Sequence, residues 1–167
     1  MMDRPRYEIQ PAQPEHAIWL GLNMRREDAE EIHASHGLDP MTAAHGSLIY
    51  GDTLTGLVDG EVACLFGCRG LSLMSTVGVP WLLGTPLVEH HARAFCKRNR
   101  VMIKIWLQRY ETLVNWVDDR NETSKRWLQW LGFTLEDPRP YGLAQLPFRR
   151  FTMTRTTRKE TSACAGH

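Results

Sequence analysis

Gly84, Thr85 and Pro86 end one apolar run and open a helix-like one, which makes their junction the first place to look for chemistry. Unpaired backbone N–H groups and the dipole at a helix start favour an anion there, and Gly84 has no side chain to hold a ligand away. The structural alternative is that Thr85 caps the helix and Pro86 occupies its first turn, where a missing N–H does no harm. Asn121 and Ser124 open a second helix, Asn121 as an N-cap or as an amide turned to a ligand. Candidate general bases are Glu61 in a turn and Asp118 or Asp119 after a strand, each of which also reads as a solvated turn residue. His33 with His36, and His90 with His91, lack the acidic or cysteine partners of a zinc site. Neither G-x-S-x-G nor a nucleophilic cysteine motif occurs, so hydrolase chemistry has no support.

The elements that must position these residues follow from periodicity. Leu113 to Val117 is a short apolar, β-branched run that predicts a buried strand, and Asp118 to Asn121 break it. From Glu122 the period becomes helical: Trp127, Trp130 and Leu131 share one face at i, i+3, i+4, and Gly132 stops the helix. Trp127 is expected under the sheet. Upstream, Tyr7 to Gln10 reads as a first strand, followed by a helix ending near Gly21 or Asn23. A second helix over residues 25–37 has its acids early and its histidines late, and a short third lies around Met41 to Tyr50. These helices are read as ordinary amphipathic cover.

The segment TLTGLVDGEVACLFG predicts an antiparallel hairpin turning at Asp59-Gly60. Val77 to Gly84 is the next strand, with Pro80 marking a bulge or edge. The helix after Thr85, bent or broken near Asn99, runs to about Tyr110, and two last strands follow Phe133. The order agrees with a mixed, mostly antiparallel sheet flanked by helices, an α+β class.

At 167 residues the chain is one domain's worth, burying roughly 70% of its unfolded surface. Residues 1–155 are expected to form that domain, and 156–167, poor in apolar side chains, to be a disordered tail. A net charge of +1 gives no field to gather nucleic acid, which disfavours non-specific DNA binding, and sequence-specific nucleic acid is not expected as a partner. Charged residues near the start rule out a signal-peptide core, and no apolar run approaches the ~20 residues of a membrane span. Cys64 and Cys68, four apart in one strand, would stand about 13 Å apart at roughly 3.3 Å per residue, beyond a disulfide's reach. Free thiols in a cytoplasm are expected. Lys97, Arg98, Arg100, Lys104 and Arg109 make the central helix basic, either as a solvated face or as a contact for an acidic partner or a phosphate. Six tryptophans exceed what one small core readily hides, so a partner surface including Trp106 or Trp130 is conceivable.

Asn121, Ser124, Trp127, Leu128, Gly132 and Phe133 match the spacing N-x-x-A-x-x-φ-Y-x-x-x-G-F, which resembles the second half of the GNAT acetyltransferase fold. The wider pattern, WLLGT, a basic helix, then N-x-V-D-x-R-N with WLxWLGF, is similar to small internal virion proteins of short-tailed phages. The resemblance implies a sheet whose fourth and fifth strands splay apart around acetyl-coenzyme A (acetyl-CoA). Its phosphates would lie at Gly84 and Thr85 and its arm beside Asn121 and Ser124. Two departures bear on activity. The longer glycine loop Q/R-x-x-G-x-G/A is absent, and the tyrosine that protonates the leaving thiolate in many members is replaced by Leu128. The resemblance therefore implies a virion-associated or assembly protein with degenerate catalytic machinery, located in the virion or host cytoplasm and partnered by other virion proteins. The alternative is an acetyl-CoA-dependent N-acetyltransferase acting on a small amine or a protein amine.

Overall fold

The computed structural model describes residues 4–156. The expected tail lies outside the described residues from position 157 on, and Cys164 with it. The elements are β1 (Tyr7–Pro11), α1 (Pro14–Asn23), α2 (Arg26–His36), α3 (Pro40–Ser47), β2 (Leu54–Val58), β3 (Glu61–Gly70), β4 (Val77–Gly84), α4 (Leu87–His90), α5 (Ala92–Arg109), β5 (Thr112–Asp118), α6 (Glu122–Leu131), β6 (Thr134–Leu135), β7 (Arg139–Tyr141) and β8 (Leu146–Thr154). The eight strands form one sheet in the order β1-β2-β3-β4-β5-β8-β6, with β7 also on β8.

The hairpin turns where the sequence places it. Asp59 (φ 51°) and Gly60 (φ 83°) both take the left-handed conformation that a two-residue hairpin needs. From Val62 to Cys68, β3 is buried on both faces. Cys64 and Phe66 point to the α5 side, and Leu65 packs with Ala17, Leu20 and Ala44 beneath α1 and α3, as strand alternation requires. Helices thus cover both faces.

Three local expectations change. The helix after β4 breaks at His91, between α4 and α5, and not at Asn99. The His91 backbone leaves the helical region while its ring bonds the Tyr7 hydroxyl at 3.0 Å; Asn99 stays helical. The end of the chain forms three strands instead of two, because Pro138 separates β6 from β7 and Gly142 opens the turn before β8, and β6 and β7 each pair with part of β8. Finally, Thr85 does not cap α4: Pro86 is the N-cap residue, and the Thr85 hydroxyl donates to the Val62 and Ala63 carbonyls instead.

The parallel pair β4 and β5 is joined only at Val77–Thr112 and Gly78–Leu113. Beyond it the strands part. Pro80 lies just past the parting and has no N–H, and its carbonyl, which points to the same side, is met by the Asn115 side chain at 2.9 Å. A proline here costs the sheet nothing, because β4 has become an edge.

Candidate functional site

The parting of β4 and β5 leaves a slot of about 230 Å³. Its sides are Pro80 to Leu83 from β4 and Asn115 to Val117 from β5. α6 contributes Ser124, Trp127, Leu128 and Leu131, α5 contributes Phe95 and Asn99, and Arg25, Asp28 and Glu31 close the end where the strands diverge. Tyr141, stacked on Trp116 with ring centroids 4.3 Å apart, lines it from β7.

Helix α6 explains why the slot stays open. It is strongly amphipathic, yet no residue on it is fully buried. Its apolar face meets space as well as protein atoms, so Trp127, Leu128 and Leu131 are only partly covered. Trp130, expected on that face, is 48% exposed. It lies instead beneath Arg100, whose guanidinium carbon is 3.5 Å from the ring centroid and whose Nη2 donates to the Trp130 carbonyl.

At the β4–α4 junction, the amides expected to hold an anion are engaged internally. The Gly84 N–H donates to Asp28 Oδ2 at 2.7 Å and the Thr85 N–H to the Ala63 carbonyl at 2.8 Å. Pro86 has none to offer. A Cβ on Gly84 would lie 3.2 Å from Val88 and 3.5 Å from Asp28, so the junction is packed against its own chain. Asn121 caps α6, its Oδ1 accepting from the Ser124 N–H at 3.1 Å, while its Nδ2 donates to Glu31 Oε2 at 3.2 Å. Of the four residues singled out in the sequence, Ser124 alone lines the slot.

The carboxylates separate by surroundings. Glu61 is exposed in the hairpin. Asp118 is buried against Arg120, and Arg149 and Lys125 hold the Asp119 carboxyl below its usual range. None of these three sits in the slot. Glu31 does, and it accepts from both the Asp118 N–H (3.1 Å) and Asn121. Burial, followed by the nearby charge of Asp28, outweighs those two donors and pushes its carboxyl up to about 7, where it exchanges a proton near neutral pH. Reading α2 as plain cover missed this residue. The signal was present: Asp28 and Glu31 stand three apart on the face that also carries Ile32, an unusual place for two acids.

Arg25, just ahead of α2, joins the two sides of the slot's wide end. Its Nη2 donates to Asp28 (2.7 Å) and Ser124 (2.8 Å), its Nη1 to Glu89 (3.0 Å), and its guanidinium lies 5.0 Å from the Trp127 ring centroid. Its Nε is the one buried side-chain polar atom without a partner among the described residues. Such an atom calls for an acceptor.

Other chemistry is poorly placed. Cys64, Cys68 and Cys96 are buried free thiols, and burial pushes Cys64 and Cys68 up to about 12, far from nucleophilic at neutral pH. Among the described residues no His, Cys, Asp or Glu cluster has the geometry to hold a metal ion, and no helix is long and apolar enough to cross a membrane.

Neither a protein-family sequence model nor a curated protein sequence matches the chain. Solved structures do. A GNAT-family acetyltransferase from Bacillus anthracis superposes with a TM-score of 0.68 at 9% identity, covering 89% of this chain and 95% of its own. An N-acetyltransferase from Staphylococcus aureus Mu50 gives 0.64 at 14% identity, covering 89% and 98%. A Salmonella typhimurium protein assigned as an acetyltransferase, solved with its cofactor acetyl-CoA, gives 0.61 at 14% identity, covering 95% and 99%. The fold is therefore GNAT-like: a mixed, mostly antiparallel sheet with helices on both faces.

Proposed function

We propose that this protein is an acyl-CoA-dependent N-acyltransferase whose slot between β4 and β5 brings a thioester to an amine. The observation that carries this reading is the pairing of an open, largely apolar slot with one carboxyl, Glu31, balanced near neutral pH at its wide end. The fold neighbours, one of them solved with acetyl-CoA, support it.

The slot suits a slender apolar arm, and the unpaired Arg25 Nε–H offers a donor to a carbonyl or phosphate oxygen at the entrance. Ser124 lines the same entrance. Gly84 and Thr85 stand behind it, shaping the junction without donating an amide to a phosphate. The cations next in the chain are Arg93 and Lys97, both exposed on the first turns of α5, and we assign the phosphates to them. Acyl-CoA, when bound, supplies an electrophilic thioester carbon: the amine nitrogen forms a C–N bond to it and the C–S bond breaks.

Glu31 takes a proton from the incoming ammonium, which must be neutral to attack. Asn121 and the Asp118 N–H orient that carboxylate, and the acidic wide end favours a cationic acceptor. Leu128 donates no proton, so the leaving thiolate draws its proton from solvent. Calorimetric titration with acetyl-CoA tests the reading. A Kd within the roughly 1 µM–1 mM range of enzyme substrates is expected, and no heat at about 5 mM would overturn it.

A second reading keeps the fold as a non-catalytic virion or assembly protein of a short-tailed phage, in the particle or the host cytoplasm. The internal use of the Gly84 and Thr85 amides favours its non-catalytic part alone. Mass spectrometry of purified particles would find the chain under this reading and not under the first.

A further inference from the structure

Under α5 and α6, beyond the slot, lies a second cavity of about 110 Å³. Phe66, Ile103, Trp106 and Phe133 line its far end, and Leu128 and Leu131 stand on the walls of both cavities. Asn99 is its sole polar lining side chain. Helix α5 runs back from the end of β4 to the start of β5, so Ile103 and Trp106 lie towards the closed end of the wedge, opposite Arg25 and Ser124. A chain entering at Ser124 would pass Trp127 and Leu128 and finish among these rings.

We infer that the group this protein transfers is a linear apolar acyl chain longer than acetyl, with its end in the second cavity. The inference rests on the acyl-CoA reading above and names the substrate within it. An acetyl group ends near its own thioester and leaves the second cavity unfilled, while added methylenes exchange water for aromatic and aliphatic walls. Leu128 serves this role as well. A tyrosine at its position would set a hydroxyl needing a partner on the wall shared by both cavities, whereas leucine keeps that wall apolar. The same substitution that removes a proton donor thus completes an apolar path.

The test is calorimetric titration of the full chain with CoA, acetyl-CoA, butyryl-CoA and octanoyl-CoA. Burying one methylene improves binding by about fourfold, so butyryl-CoA should bind at least about tenfold tighter than acetyl-CoA. Ile103→Phe, which narrows the second cavity, should abolish that preference in a variant whose far-ultraviolet circular dichroism remains native. Tighter or equal binding of acetyl-CoA by the unmodified protein would overturn the chain-length inference and leave the acyl-CoA reading standing. Failure of all four ligands to bind would overturn both.

Discussion

Asn115 reaches across the gap between the parted strands and donates its side-chain amide to the Pro80 carbonyl at 2.9 Å, while its Oδ1 accepts from the Trp116 N–H at the same distance. One side chain thus replaces the ladder bonds that β4 and β5 cease to make after Gly78 and Leu113. It fixes the wedge open at a set width.

Asn115→Ala should therefore destabilise the fold by about 1–3 kcal/mol, since the Pro80 carbonyl loses its partner in a half-buried place. Urea denaturation measures this. A loss near zero would show that packing alone holds the wedge.

The Glu31 carboxyl carries a pH signature. Its folded value of about 7 lies above the ordinary 4.5, so the native state binds the proton more tightly than the unfolded chain does. Its stabilising contribution is fully present below about pH 4.5 and is lost as pH rises through about 7. The Tm of the natural protein should therefore fall relative to that of Glu31→Gln between about pH 5 and pH 8, and parallel Tm curves would refute the assignment. If Glu31 is the base, kcat/KM should rise tenfold per pH unit below about 7 and level off above it, with the rise missing in Glu31→Gln.

Arg25 and Asp28 form a buried pair with side chains 3% and 6% exposed. Arg25→Met should cost about 3–5 kcal/mol, because the Asp28 carboxyl, already pushed up by burial, loses the cation that offsets that burial. Arg25→Met with Asp28→Asn should recover part of that loss, since Asn still accepts from the Gly84 N–H. Chemical denaturation of both variants decides it; equal stability of the two would mean that the pair is not coupled.

Gly78 permits the close approach at the closed end of the wedge. A Cβ there would lie 2.5 Å from a Tyr110 ring carbon and 2.8 Å from the Cys68 sulfur. Gly78→Ala should cost about 1–3 kcal/mol through overpacking, read as a drop in thermal midpoint. An unchanged midpoint would place Tyr110 farther from the strand.

By itself the sequence determined the local elements and their order as far as α6, though not the break at His91 or the division of the last segment into three strands. Asp59-Gly60 demands positive φ twice, Gly132 stops a helix at φ 103°, and the change of period at Asn121 separates β5 from α6, all through forces acting within a few residues. The fold class followed from that order. Which face of a helix meets a partner, and across what distance, depends on residues far apart in the chain. Asn121 was legible as a cap, but its second bond runs to Glu31, ninety positions earlier. Gly84 marked a strand end, and only packing showed its amide taken by Asp28, fifty-six positions away. Trp130 and Trp127 looked alike by period, and the passage of α5 alongside α6 set the first beneath Arg100 while the start of α2 set the second beside Arg25. The acid of the site was hidden for the same reason. A carboxylate is displaced towards neutral pH by burial and by neighbouring charge, and both exist only once α2 has been laid across the ends of β4 and β5.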